Sequence, residues 1–232
     1  MPLLAVNQLK YRYPDGREAL KGVSFQINAG EKVGLLGLNG AGKSTLLLSI
    51  AGVLKAEGEI TLAGVENLKA RSKLRKQRIG LVFQDPNDQL FMTTVYEDVA
   101  FGPENLGLSR PEVEKRVQVA LAAVGAEGFE DRLTHHLSFG EKKRVALATV
   151  LAMQPDLLLL DEPSSNLDPK RRREFIEIIN QAKQAMLIAS HDLELIKATC
   201  SRVIILEAGK VVVDEPVAIL ENEALLRRHE LY

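Results

Sequence analysis

The sequence predicts an α/β fold: a mostly parallel central sheet, an antiparallel β-subdomain and a helical insertion. Three observations lead there. Short apolar runs recur at VGLLG (33–37), IGLVF (79–83), LLLL (157–160), AMLIAS (185–190) and RVIIL (202–206), and helical stretches at 43–52, 169–184 and 192–199 fall between several of them. Such uninterrupted β-rich runs belong to strands buried on both faces of a parallel sheet. The segments GVSFQI and GEITLAG instead alternate polar and apolar residues and are punctuated by glycine, as antiparallel strands are. From Asp88 to Leu137 the pattern turns helical, with SRPE (109–112) reading as a helix start capped by Ser109 and carrying Pro111 in its first turn.

The boundaries follow from these patterns. Residues 1–87 and 155–232 are expected to form the core with its β-subdomain, 88–154 the helical subdomain, and ENEALLRRHELY a terminal helix. A chain of 232 residues, 46% hydrophobic and 26% charged, has the balance of an ordinary globular protein with one core and a sizeable insertion. Its formal net charge of −1 exerts no global pull on nucleic acid, and no nucleic-acid partner is expected. The run KRRR (170–173) follows Pro169 and reads as a solvated helix face. Cys200, the only cysteine, excludes an intramolecular disulfide and a cysteine-built zinc site, and reads as a small buried hydrophobe. His135, His136 and His229 fit no ligand spacing and read as structural. The N-terminus lacks a secretory pattern, and no apolar run approaches the roughly 20 residues that cross a bilayer.

The chemistry is concentrated in a few segments. Gly37 to Thr45 reads GLNGAGKST, the G-x-x-x-x-G-K-[ST] pattern between a strand and a helix. In this phosphate-binding loop, formed by Gly37, Asn39, Gly40, Ala41, Gly42, Lys43, Ser44 and Thr45, the glycines let backbone N–H groups converge on phosphate oxygens at a helix N-terminus. Lys43 would neutralise the β- and γ-phosphates, Ser44 would ligate Mg²⁺ and Thr45 would reach the α-phosphate. By itself the motif identifies a P-loop NTPase. LLLLDEP (157–163) is a buried strand, expected beside the P-loop strand, that ends in two carboxylates. Asp161 would face the metal, and Glu162 would orient the attacking water and accept its proton.

LSFGEKKRVALA, beginning at Leu137, resembles the signature of ATP-binding cassette proteins, and the resemblance runs from Tyr13 to about Pro216. It implies that Ser138 and the N–H of Gly140 form an anion site facing a γ-phosphate held by another subunit, hence a homodimer or a heterodimer with a related ATPase. It also implies that Gln84 in VFQDP senses Mg²⁺ and the γ-phosphate, that Asp168 in SSNLD belongs to the D-loop, that His191 in ASHD is the switch histidine, and that Tyr13 stacks on adenine, with Tyr11 as the alternative. The cofactors implied are ATP and Mg²⁺. Phe139 and Glu141 stand where glycine and glutamine are common, and Leu38 where proline is frequent in the loop.

QDPNDQLF (84–91), with YPDG near the start, is similar to the ATPases of energy-coupling-factor importers. In that branch the segment would receive a coupling helix, with Asp85 and Asp88 supplying charge and Leu90 and Phe91 a hydrophobic floor. The partners implied are a transmembrane coupling protein and a substrate-binding membrane subunit, at the cytoplasmic face of the cell membrane. A soluble cassette ATPase of translation or DNA repair and a small-molecule P-loop kinase are the alternatives. The single cassette, the short Lys43–Ser138 span and the signature disfavour them.

Overall fold

A computed structural model describes residues 1–63 and 78–231; of the expected β-subdomain stretch near 58–66, residues 64–66 lie outside the described residues. The chain divides into two compact units. One comprises residues 1–81, 156–162 and 183–232, and the other residues 82–155 and 163–182. The loop and helix at 163–182 thus group with the helical residues, and the division falls a few residues before the expected boundary at 88.

The first unit contains two sheets. In the smaller, β2 (Glu18–Ile27), β1 (Leu4–Arg12) and β4 (Glu57–Leu62) run antiparallel in that order. The larger has six strands in the order β5 (Ile79–Val82), β6 (Leu157–Asp161), β7 (Ala185–Ala189), β3 (Lys32–Leu36), β8 (Arg202–Glu207) and β9 (Lys210–Pro216). β6, β7, β3 and β8 run parallel to one another, and β9 closes the edge antiparallel to β8.

The order corrects one expectation: β6 is not beside the P-loop strand, because β7 lies between them. Local patterning cannot encode that order, since each strand is equally apolar and would pair with any other. Register nevertheless sets Asp161 against Ala189, and Ala189 against Leu35, so the ends of β6, β7 and β3 finish at one level. The carboxyl edge of an open α/β sheet is where such folds place ligands.

β3, β6, β7 and β8 are continuous apolar runs because they are buried along their length, with only Lys32, Asp161, Arg202 and Glu207 at their ends reaching the surface. Val33, Leu35, Leu157, Leu159, Leu187 and Ile204 are fully buried and join Leu4, Val23 and Ile27 of the small sheet with Leu46, Leu47 and Ile50 of α1 (Lys43–Ala51) in one core. Burying each such side chain contributes about 1.5–3 kcal/mol relative to leaving it in water. α6 (Leu193–Thr199) covers the sheet through Leu195 and Ile196. Its neighbour Cys200 is buried, and burial pushes its thiol up to about 11, so it behaves as a hydrophobe. The terminal helix, α7 (Glu223–Arg228), is shorter than the sequence predicted and follows a 3₁₀ turn at Val217–Glu221.

The second unit packs α2 (Val95–Asn105), α3 (Arg110–Ala123) and α4 (Phe139–Leu151) around Val95, Val99, Val113, Val117, Leu121, Val145 and Leu147, and includes α5 (Pro169–Gln181). Thr94 and Glu97 form a reciprocal capping box at the start of α2. Ser109 stands at the N-cap of α3 with Pro111 in the first turn, but its hydroxyl makes no capping bond. α5 buries Phe175 and Ile179 on one stripe, while of the KRRR run Lys170 and Arg173 are exposed and Arg171 and Arg172 are half-buried.

Candidate functional site

The loop between β3 and α1 is held by close backbone approaches. At Gly37, φ is +148° and an added Cβ would lie 2.3 Å from the carbonyl oxygen of Leu206; at Gly42, φ is +108° and a Cβ would meet Ala19 O at 2.6 Å. Neither position admits a side chain without moving backbone. The turn between β8 and β9 braces the loop further, with the Gly209 N–H donating to Ala41 O at 3.1 Å. Lys43 is buried at the start of α1, and its Nζ donates to Gly37 O at 2.7 Å and Leu38 O at 3.4 Å, so the ammonium lies under the arch of the loop. Ser44 is exposed and Leu38 points outward. Gly40 and Asn39 lie at the exposed crest.

Asp161 ends β6 with its Oδ1 shielded from solvent. Glu162 follows in the left-handed backbone region at φ +45°, and its N–H donates to Ala189 O at 2.8 Å. A non-glycine residue held there is strained, and such strain collects at functional sites. Its side chain is 9% exposed. Oε2 accepts from the Ser190 hydroxyl and the His191 N–H, each at 3.3 Å, and stands 2.8 Å from His191 Nδ1. Residues 29 apart in sequence are thereby brought together across the ends of β6 and β7. The His191 ring is otherwise 73% exposed.

The Tyr13 hydroxyl lies 3.0 Å from Thr45 Oγ1. Tyr11 packs edge-on to its ring at 5.0 Å, and the Arg17 guanidinium lies over the ring at 4.6 Å. The two tyrosines that the sequence left as alternatives are therefore direct neighbours, and Tyr13 reaches Thr45 in the first turn of α1.

In the second unit, Ser138 caps α4 in a reciprocal box. Glu141 N–H donates to Ser138 Oγ at 3.4 Å, and Glu141 Oε2 accepts from the Ser138 N–H at 2.8 Å and its hydroxyl at 2.7 Å. Arg132 Nη1 donates to Glu141 Oε1 at 2.8 Å. That bond and then the Ser138 donors hold the Glu141 carboxyl down to about 2. Gly140 is half-buried near Leu167 and Arg171. The Phe139 ring is also half-buried and lies 5.6 Å from Nζ of Lys143, one turn along its own helix. Lys143 is 1% exposed and donates to Ser165 Oγ at 3.0 Å, tying α4 to the segment that leads to Asp168. Asp168 caps α5, accepting from the N–H groups of Arg171 and Lys170, which lower its carboxyl.

The segment after Gln84 folds as a turn. Gln84 is exposed, Asp85 Oδ1 accepts from Asn87 N at 2.9 Å and Asn87 Nδ2 at 2.8 Å, and Asp88 is exposed. Leu90 is buried and belongs to the core, whereas Phe91 is 64% exposed and packs edge-on to Phe101 at 5.0 Å. The apolar surface is thus the pair Phe91 and Phe101 rather than Leu90 and Phe91. Gln89 fastens the segment: it accepts from Phe83 N at 3.1 Å and donates to Ala146 O at 2.7 Å and Thr149 Oγ1 at 2.8 Å. Lys142 adds a bond to Asn87 Oδ1 at 2.8 Å.

Sequence reasoning missed Ser190, Arg17, Arg132, Lys143 and Phe101. Ser190 was within reach, since it adjoins His191. Arg17 also lies close by, four residues after Tyr13 across the YPDG turn, whereas Arg132, Lys143 and Phe101 meet their partners through the packing of the second unit.

The family model described as ABC transporter matches residues 20–165, which include the P-loop, the α4 cap and both carboxylates. The chain belongs to the ABC transporter family. An energy-coupling factor transporter ATP-binding protein, EcfA, of Methanothermobacter thermautotrophicus is 45% identical over 99% of this chain and 76% of its own length. Among solved structures, cbiO1 of Clostridium perfringens, described as part of the ABC transporter complex cbiONQ, superposes with a TM-score of 0.85 at 39% identity, covering 99% of this chain and 95% of that one. The ATP-binding cassette MJ0796, a dimer in a post-hydrolysis state bound to ADP and Pi, gives 0.82 at 28% identity over 92% and 98%. This family member is an ATPase with the fold those proteins share. Among the described residues no helix is long and apolar enough to cross a membrane.

Proposed function

We propose that this ABC ATPase is the motor subunit of an importer of the energy-coupling-factor type, carrying a metal ion or vitamin, that binds Mg-ATP between two ATPase subunits at the cytoplasmic face of the membrane. The observation that carries the transport reading is the likeness to EcfA over almost the whole chain. The aromatic pair Phe91 and Phe101 and the exposed Asp88 support docking of a transmembrane partner beside Gln84. The soluble alternatives are not favoured, because the relatives are transporter subunits.

The residues fit the cofactors. A serine hydroxyl and a carboxylate are hard oxygen donors of the kind Mg²⁺ takes, so Ser44 and Asp161 would hold it. When bound, Mg²⁺ neutralises phosphate charge and helps to align the transferred group. Lys43 and the loop N–H groups bind the phosphates, and Tyr13 receives the adenine. Glu162 is the general base: its anchored Oε2 fixes the carboxylate so that it takes the proton of the attacking water, and His191 positions it. Ser138, Gly140 and Asp168 meet the nucleotide of the partner subunit. Co-expression with its membrane partners, followed by ATP-dependent uptake into proteoliposomes, tests the reading. Stable association with ribosomes or DNA in place of membrane proteins would overturn it.

A further inference from the structure

We propose that Arg132 is a positioning residue of the nucleotide-dependent dimer: it cancels the charge of Glu141 and so lets the start of α4 accept the partner subunit's γ-phosphate. This rests on the reading that α4 faces that nucleotide.

A carboxylate at the third residue of a helix caps it well, but so does a glutamine. The difference is charge. Glu141 places a negative group within hydrogen-bond reach of the Ser138 hydroxyl and N–H, at the same helix end that must receive a phosphate. Attraction between the helix dipole and a phosphate is modest, so an uncompensated like charge at that distance outweighs it.

Arg132 supplies the compensation from a rigid mount. Its N–H donates to Phe129 O at 2.9 Å, its carbonyl accepts from Val95 N at 3.1 Å, and its guanidinium stacks on Phe129 at 4.1 Å. The fork therefore reaches Glu141 Oε1 already ordered, at 2.8 Å. With Oε1 on Arg132 and Oε2 on Ser138, the carboxylate is tethered toward its own subunit. The other nearby cations are committed elsewhere: Lys142 to Asn87 at 2.8 Å and Arg171 to Glu174 at 2.9 Å.

The test is a double-mutant cycle on the full chain, reading the ATP concentration for half-maximal turnover together with the melting temperature. Arg132→Gln should raise the ATP requirement roughly tenfold when Glu141 is present, since an unpaired carboxylate then opposes the phosphate. In the Glu141→Gln background the same change should cost less than about threefold, because no charge is left to cancel. Arg132→Met, which keeps apolar contact with Phe129, should reproduce the defect, and added salt should shrink it. An equal loss in both backgrounds would assign Arg132 a packing role and overturn the proposal, as would wild-type behaviour of both Arg132 variants. Failure of the dimer reading shows separately: a Glu162→Gln chain, Arg132 intact, would then stay monomeric at every ATP concentration.

Discussion

Replacing Glu162 by glutamine separates chemistry from structure, because the change keeps shape and removes only the charge and the proton-accepting ability. In the fold, Oε2 takes two contacts at 3.3 Å and one at 2.8 Å. The amide oxygen can occupy the same place. The long contacts carry little energy, and the short one loses roughly half its strength when its acceptor becomes neutral, so the folding cost is about 1 kcal/mol. For a chain of this size that lowers the melting temperature by about 2–4 °C. The chemical step loses the positioned base, a factor of about 10²–10⁴, equivalent to roughly 3–5 kcal/mol of activation free energy. Phosphate release, nucleotide binding and thermal melting measured on the same preparation should therefore diverge, with turnover falling at least a hundredfold while binding and folding persist. Because hydrolysis is what would reopen the subunits, the variant should also accumulate as an ATP-dependent dimer by size-exclusion chromatography. Turnover within tenfold of wild type would remove Glu162 from the role of base. A large drop in melting temperature with loss of nucleotide binding would show that the carboxylate is structural.

Lys43→Ala should nearly abolish nucleotide binding or turnover while the chain remains folded, since the ammonium is the fixed positive charge under the loop; wild-type ATP affinity in a fluorescence titration would refute it. Glu141 is held at about 2 against an ordinary 4.5, so its contribution to stability is fully present above pH 4.5 and is lost as pH falls toward 2. That depression corresponds to about 3 kcal/mol, reduced to about half by solvent around the 38% exposed Arg132. Melting curves of wild type and Glu141→Gln should therefore converge as the pH is lowered through that window, and parallel curves would refute the pairing. Charge reversal at the exposed Asp88 should lower uptake and assembly with the membrane partner far more than ATP hydrolysis. Asp85 is the poorer probe, because its carboxylate caps the Asn87 turn and its loss reshapes the segment.

The residues themselves determined the strands, the P-loop and the start of α4, because each depends on interactions within a few positions. An apolar run too short for a long helix becomes a buried strand, glycines at fixed offsets permit one loop, and Ser138 with Glu141 forms a cap whose two halves are three residues apart. Resemblance then attached roles to Gln84, Asp168 and His191 that no local pattern would give. What only the tertiary structure decided is which distant groups meet. β7 separates β6 from β3, although nothing in the five apolar runs ranks their order. Ser190 and His191 close on Glu162, and Arg132 on Glu141. Lys143 is 1% exposed and donates to Ser165, although nothing local marks it for burial, while Phe91 stays outside with Phe101 as Leu90 turns inward. The physical reason is the same in each case: a side chain's charge and size are fixed by its identity, but whether it is buried, and against what, depends on chain segments far away in sequence that only the packed fold brings alongside.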